Sequence, residues 1–333
     1  MIVLDLDPYE LRQRLAGRGL RVRVGPFVYS IRSPLPEIEA GIGLHYPWHP
    51  LKDDDAFVDF HVHVDRPKVL RRWLRPQVRF RFDGNPPFNP LPGNQAFPLL
   101  EWGMNWCVSA HAHRWIILHS AVLERDGRCL LLPAPSGAGK STLTAALMLR
   151  GWRLFSDELA LIDPGSGRLQ PLPRPVSLKN QSIEIIRSFD SGAVIGQVVP
   201  DTLKGSVAHV RPMREHVMRH MVDAPPGWIV VPEYMPGVPA RLEPLSKAQA
   251  LMLLAKNAFN YNIHGRAGFR ALADVVDRSQ CLSFSYSQLD DAVAVFERLA
   301  QPASGERVHG DIPGPSTTGF DRQQADMLRA ATS

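Results

Sequence analysis

Apolar and polar residues alternate along much of the first hundred positions, a pattern typical of β-strands with one buried face. The segments 57–64 and 77–82 follow this two-residue period and are predicted to be strands. A short amphipathic helix is predicted over residues 9–15. We therefore expect residues 1–100 to form an N-terminal, β-rich accessory domain.

The pattern changes near residue 115, where the apolar runs become longer. The segments 115–123 and 128–132 are predicted to be buried strands, and the turn at Asp126-Gly127 between them has the chemistry of a hairpin. A segment at 281–286 has the same strand character. These features predict an α/β domain over residues 101–300.

Residues 171–226 are rich in proline, glycine, serine and basic side chains and show weak periodicity, which is typical of mobile substrate loops. Ser246 and Ser287 each precede an apolar helical pattern and are followed three residues later by an amide or an acid, so both predict capped helix starts. Residues 301–333 contain few large apolar groups and are predicted to be a flexible tail.

Composition excludes wholesale disorder, because hydrophobic residues make up 44% and charged residues 21% of the 333 residues. The formal net charge of +5 does not by itself imply nucleic acid, and the basic stretch 71–82 is interpreted as the charged outer face of a strand. Three widely spaced cysteines, Cys107, Cys129 and Cys281, fit neither a disulfide framework nor a zinc cluster. No signal-peptide pattern or long apolar run is present. We expect a soluble, unprocessed cytoplasmic protein with no membrane or nucleic-acid partner.

The most informative segment is 130–150, in which an apolar strand, a glycine-bearing turn and an Ala/Leu-rich helix follow one another. This order matches a phosphate-binding P-loop, except that Ala134 stands where the G-x-x-x-x-G-K-[ST] pattern has its first glycine. Glycines in the turn can aim successive N–H groups at one anion, and the helix start adds its positive end. The predicted nucleotide-binding residues are Ser136, Gly137, Ala138, Gly139, Lys140, Ser141 and Thr142.

Within this segment Lys140 is predicted to reach the β- and γ-phosphates of ATP, and Ser141 to ligate the Mg²⁺ that bridges them. About sixteen residues further on, a short strand ends in the acidic pair Asp157-Glu158. One carboxylate can hold magnesium while the other takes the proton of an attacking hydroxyl. We favour Asp157 as the base; the alternative is that Asp157 is only a metal ligand and Glu158 a solvated charge.

The run 118–127 with His119, the phosphate loop, and the Arg-Gly-Trp-Arg-Leu segment that leads to Asp157-Glu158 together resemble the catalytic core of HPr kinase/phosphorylase over about residues 117–163. The resemblance implies the P-loop kinase fold shared with phosphoenolpyruvate carboxykinase. It also implies that ATP and magnesium serve to phosphorylate a hydroxyl, in that family a protein serine. By this resemblance Lys140 and Ser141 take the nucleotide and metal roles, Asp157 the base, Glu158 the second acid and His119 the phosphate-proximal histidine.

Three positions depart from the family pattern, namely Ala134 for glycine, Glu158 for aspartate and Ser120 for glycine, and the later signature that couples kinase to phosphorylase activity is not found. Lys204 or Arg211 is a candidate either to clamp a phosphate or to meet an acidic acceptor, and the alternative is that both are ordinary surface charges. Arg211 is the preferred candidate because a planar guanidinium binds phosphate oxygens in pairs.

The expected function is an ATP- and Mg²⁺-dependent kinase whose acceptor is a serine of a protein or peptide. A small-molecule alcohol kinase and an ATP-binding regulatory or assembly protein without transfer remain alternatives. Relatives in the family assemble into rings, so the resemblance also leaves a homo-oligomer open.

Overall fold

The structure is a computed structural model that describes residues 1–67, 76–135 and 137–301. Within these ranges the chain is a mixed α/β protein. Its helices are α1 (Pro8–Ala16), α2 (Pro36–His45), α3 (Ala96–His111), α4 (Lys140–Leu149), α5 (Gln181–Phe189), α6 (Arg214–Met218), α7 (Lys247–Lys256), α8 (Tyr261–Asp277) and α9 (Leu289–Ala300). The predicted tail lies outside the described residues from 302 onward, as does the start of the basic stretch, from 71 to 75.

The strands form four sheets with the orders β1-β2-β3-β4-β5, β11-β10-β6, β12-β14-β13 and β16-β17-β15-β8-β7-β9. Their bounds are β1 (Leu20–Val24), β2 (Phe27–Arg32), β3 (Phe60–Asp65), β4 (Gln77–Phe82), β5 (Leu91–Pro92), β6 (Ile116–His119), β7 (Ala121–Arg125), β8 (Arg128–Leu132), β9 (Arg153–Ser156), β10 (Leu159–Ile162), β11 (Leu169–Gln170), β12 (Val176–Lys179), β13 (Val199–Thr202), β14 (Gly205–Val210), β15 (Pro226–Tyr234), β16 (Arg241–Pro244) and β17 (Gln280–Tyr286). No helix in the described ranges is both long enough and apolar enough to cross a membrane.

In the N-terminal sheet, side chains alternate between core and surface in β1, where Leu20, Val22 and Val24 are buried. Strand β2 is buried at each position from Phe27 to Ile31. Helix α3 covers this sheet with the buried side chains of Leu100 and Met104. Residues Met1–Ala300 form one compact unit. A domain boundary at residue 100 stays a prediction.

The six-stranded sheet has apolar side chains on both faces, because it lies between two layers of helices. Leu130 and Leu132 of β8 pack with α4 and α9, whereas Leu131 and Cys129 belong to the cluster formed with α7 and α8. The predicted β7–β8 hairpin is present, and its turn at 126–127 has the positive φ angles of 50° and 78° that an Asp-Gly turn supplies. Strand β8 ends at Leu132 and is followed by the segment that leads to α4.

The interpretation of residues 171–226 as mobile loops is wrong. The segment contains β12, β13, β14, α5 and α6, and it enters β15 at its end. Its strands are only four to six residues long, so each contains too few apolar positions for a two-residue period to be recognised in the sequence. Strand β12 pairs with β14, far along the segment, and sequence spacing does not show this pairing. Proline- and glycine-rich connections dilute the signal further.

One predicted capped helix start is confirmed and the other is wrong. Ser246 Oγ accepts from the Gln249 backbone N–H at 3.2 Å, and Gln249 Oε1 accepts from the Ser246 N–H at 3.2 Å, which completes a capping box on α7. Ser287 instead donates its hydroxyl to the carbonyl of Val238 at 2.7 Å. A cap at Ser287 would place the first residue of α9 at position 288, but the helix begins at Leu289.

A buried ion pair fastens α3 to the segment that precedes β12. Arg174 Nη2 lies 2.7 Å from Glu101 Oε2, and the two side chains are 7% and 5% exposed. Replacing Glu101 with leucine is expected to cost about 3–5 kcal/mol of unfolding free energy, since it leaves a buried cation unpaired. Urea denaturation measures this. The matched control is Glu184→Leu, because the pair of Glu184 with Arg187 is exposed and is expected to contribute only ~0.5 kcal/mol. Equal costs for both variants would contradict the prediction.

Candidate active site

The segment between β8 and α4, which we call the glycine loop (residues 133–139), turns sharply at two glycines. Gly137 and Gly139 have φ angles of +93° and +82°, the left-handed region that favours glycine. Ala134, at the position of the missing first glycine, is fully buried. Ser136 lies outside the described residues. Helix α4 starts at Lys140 without a side-chain cap, so its first backbone N–H groups are available to an anion.

Gly139 is also required by the contacts around it. A Cβ added there would lie 2.6 Å from Tyr286 Oη and 3.2 Å from the Cβ of Tyr234. Tyr286 Oη in turn donates to the carbonyl of Gly139 at 3.2 Å. Two features therefore require glycine at position 139: its left-handed φ angle and the contact with Tyr286 at the end of β17.

The sequence predicts that the glycine loop binds the phosphates of ATP. On this prediction a Gly139→Ala variant is expected to bind ATP at least tenfold more weakly, because it combines ~1–2 kcal/mol of left-handed strain with a clash against Tyr286. Isothermal titration with Mg-ATP measures the loss. The matched control is Gly84→Ala, since Gly84 has the same φ of +82° and no atom within 4 Å of an added Cβ. Wild-type affinity in Gly139→Ala would contradict the prediction.

Lys140 lies at the start of α4 and contacts His119, the last residue of β6. Lys140 Nζ is 3.0 Å from His119 Nε2, and Lys140 is 7% exposed. Burial lowers the pKa of Lys140, although the charges of Asp157 and Glu158 act against it. Burial, and then the positive charge of Lys140, lower the pKa of His119. A neutral imidazole can accept a hydrogen bond from the ammonium group at Nε2. The ring hydrogen is then on Nδ1, and this nitrogen lies 3.8 Å from Glu158 Oε2.

Asp157 follows the last residue of β9, at the strand end where the sequence predicts it. Its Oδ2 accepts from Ser141 Oγ at 3.1 Å and from the Ser177 backbone N–H at 3.2 Å. Its Oδ1 is buried and has no hydrogen-bond partner. Burial, and then the charge of Glu158, raise the pKa of Asp157 to about 6. The carboxyl group is thus a stronger base than an ordinary aspartate, with one oxygen still to be satisfied.

Glu158 has the opposite character. Burial alone would raise the pKa of Glu158, but the positive charges of Lys179 and Lys140, and that of His119 when it is protonated, outweigh burial and lower the pKa. The pKa values of these two adjacent carboxyl groups are therefore shifted in opposite directions, so Asp157 is the more basic group and Glu158 the more acidic one. Such divergence is the arrangement by which neighbouring acids take different roles.

A cavity of about 400 Å³ opens beside this cluster. His119, Glu158 and Ser177 line its inner end, and α3 forms the opposite wall. Further polar groups in its lining are Glu101, Asn105, Arg174, Lys179, Lys204 and His209. Lys179 and Ser177 were missed by sequence reasoning, because the segment that carries them was interpreted as loop. No local sequence signal distinguishes Lys179 from other surface lysines.

The structure brings most of the sequence-derived candidates together but not all of them. Ser141 and Thr142 lie in the first turn of α4, next to the glycine loop. Lys204 lines the cavity. Arg211 does not line it, and its guanidinium lies 4.6 Å from the centre of the Trp48 ring. The expected phosphate clamp at Arg211 therefore has no contact with the cluster around Lys140 among the described residues.

No protein-family model matches the chain, and no curated protein matches it. Among solved structures, the Hpr(Ser) kinase/phosphatase from Coxiella burnetii is similar, with 12% sequence identity over 55% of this chain and 96% of that chain, and a TM-score of 0.24. A likeness at this score is too weak to carry an argument, so the assignment of function must depend on the site itself.

Proposed function

We propose that the chain is a kinase that uses ATP and Mg²⁺ to phosphorylate a hydroxyl group, with a serine of a protein or peptide as the acceptor. The observation that carries the proposal is the cluster at the start of α4. There Lys140 contacts His119 at 3.0 Å and Ser141 contacts Asp157 at 3.1 Å, directly after a loop with two left-handed glycines. A cation, a hydroxyl, an open helix start and a basic carboxyl group are the parts that phosphoryl transfer needs.

In this proposal the glycine loop and the N–H groups of α4 bind the phosphates, and Lys140 neutralises charge that develops on the γ-phosphoryl group. Asp157 accepts the proton of the acceptor hydroxyl at its free Oδ1. A bond forms between the acceptor oxygen and the γ-phosphorus, the bond from that phosphorus to the β,γ-bridging oxygen breaks, and ADP leaves. His119 holds the Lys140 ammonium in position, because Nε2 is the acceptor that this buried cation contacts.

Magnesium fits the residues at this point of the structure. Ser141, Asp157 and Glu158 supply hard oxygen donors. Asp157 Oδ2 lies 3.1 Å from Ser141 Oγ, so these two oxygens can share one ion while Oδ1 stays free for the proton of the acceptor. When bound, the ion would neutralise charge on the β- and γ-phosphates and orient them. Ser141 and Glu158 would then hold it, with Asp157 as a further ligand.

Phosphoryl transfer is tested by incubating the purified full chain with Mg-ATP and a library of serine-containing peptides, and by detecting phosphoserine with mass spectrometry. A parallel reaction with a mixture of small hydroxy compounds tests the small-molecule alternative. We expect phosphoserine with the wild type and none with Asp157→Asn. Nucleotide bound by both chains with transfer by neither would favour an ATP-binding regulatory protein, and no heat on titration with Mg-ATP would overturn the proposal.

A further inference from the structure

The cavity beside the cluster has an apolar side that is exposed to water. Trp102 of α3 is 44% exposed, Phe259 is 53% exposed, and Leu203 in the turn between β13 and β14 is 91% exposed. Leu99 and Trp106 continue this wall inward. Large apolar side chains gathered around one opening are typical of a surface that binds an apolar group.

The same cavity has a cationic side. Lys179 at the end of β12 and Lys204 in the β13–β14 turn both line it, and within the described ranges neither side chain lies within 4.0 Å of a carboxylate. The buried Arg174 is already neutralised by Glu101. Both lysines act on Glu158, whose pKa they help to lower, but neither forms an ion pair with it. Beside an apolar wall, these two ammonium groups give the site an affinity for a ligand that carries negative charge.

The inner end of the cavity reaches the reactive groups. Glu158 and His119 line it, and so does Ser177, whose backbone N–H donates to Asp157. Asp157 itself does not line the cavity, so a hydroxyl group that enters from it meets His119 and the two residues next to Asp157, Glu158 and Ser177. The phosphates would approach from the other side, at the start of α4.

Size and exposure indicate what kind of molecule fits. A volume of about 400 Å³ lies within the ~300–1,000 Å³ of small-ligand sites, so it can hold a few side chains and not a folded surface. A ligand confined to this volume would leave Leu203 mostly in water. An extended chain that leaves the cavity past the β13–β14 turn would cover Leu203 and would pass Lys204 on the way.

We propose that the cavity binds an extended, acidic and apolar peptide segment, in which the acceptor serine is flanked by a large apolar side chain and by carboxylates. The apolar side chain lies against Trp102 and Trp106, and the carboxylates meet Lys179 and Lys204. The role of the segment as phosphate acceptor depends on the proposed kinase function, whereas its binding does not.

Binding is measured without nucleotide, by following tryptophan fluorescence as synthetic octapeptides are added to the full chain. Each peptide carries one serine; the first has phenylalanine and two glutamates, the second replaces the glutamates with lysines, and the third replaces phenylalanine with glycine. We expect the first to bind at least tenfold more tightly than either of the others. In the Lys179→Ala/Lys204→Ala variant we expect the preference for glutamate to disappear and the preference for phenylalanine to remain. Lys256→Ala, at an exposed position on α7, is the matched control and should behave like the wild type.

A second measurement separates this inference from the kinase proposal. The same peptides are incubated with Mg-ATP, and phosphoserine is quantified. Selective binding without phosphoserine would support the peptide site and contradict the kinase function. Phosphoserine without any preference among the three peptides would support the kinase and overturn the peptide site. Binding of 3-phenyllactate as tight as that of the first peptide would also overturn it, in favour of a small hydroxy acid.

Discussion

Replacing Lys140 with methionine is expected to lower the rate of phosphoryl transfer by at least ~100-fold, because it removes a preorganised positive charge from the site where charge develops. The fold should not suffer. Lys140 is 7% exposed and burial opposes its charge, so an apolar side chain of similar length removes a desolvation cost. We therefore expect a melting temperature equal to or higher than that of the wild type. The measurements are single-turnover transfer from Mg-ATP and thermal denaturation.

The matched control for this variant is Lys256→Met, since Lys256 is an exposed lysine at the end of a helix. It should retain the wild-type rate. A Lys140→Met variant that keeps its rate within threefold of the wild type would show that the ammonium does not act on the transferred group. Loss of activity together with a collapsed melting temperature would show instead that the contact of Lys140 with His119 is structural.

Replacing Asp157 with asparagine is expected to lower the rate by ~10²–10⁴-fold, the range associated with a positioned general base. The pH dependence provides a second readout. In the chain without Mg²⁺ the pKa of Asp157 is raised to about 6, and a bound cation lowers it from there. The basic form is lost as the pH falls through the pKa, so the wild-type rate should fall tenfold per pH unit below a limb at or below pH ~6. The residual rate of the asparagine variant should be flat over the same interval. Rates measured from pH 5 to pH 8 test this.

The stability of the same variant should change in the opposite direction to its activity. A folded-state pKa above the ordinary 3.8 means that the folded chain binds the Asp157 proton more tightly than the unfolded chain. The stabilisation from that proton is fully present below pH ~4 and is lost as the pH rises through about 6. Without Mg²⁺, Asp157→Asn should therefore melt higher than the wild type at pH 8. Asp55→Asn, at an exposed position, is the control for both readouts. A pH limb in Asp157→Asn identical to that of the wild type would exclude Asp157 as the base.

The local parts of the candidate site could be predicted from sequence, because local chemistry determines them. Left-handed backbone at Gly137 and Gly139 requires glycine, and a short apolar strand that ends in Asp157-Glu158 can be recognised without any tertiary information. The capping box at Ser246 is equally local. These features depend on residues within a few positions of one another.

The parts that could not be predicted depend on distant pairings. Lys179 reaches the cluster because β12 pairs with β14, and the apolar wall of the cavity comes from α3, far earlier in the chain. Arg211 follows the last residue of β14, so the sequence suggests a cation in a loop near the site, but its guanidinium lies over the ring of Trp48. Such cation–aromatic contacts join residues with no common motif, so sequence spacing gives no indication of them.

The hydrogen bond from Tyr286 to the carbonyl of Gly139 has a consequence for biosynthesis. The loop emerges from the ribosome long before β17, the strand that fixes its far side and pairs with β15 and β16. A nascent chain that stops short of Tyr286 therefore has the glycine loop without this hydrogen bond. On the proposed function, ATP would stabilise the complete loop only once translation has passed residue 286.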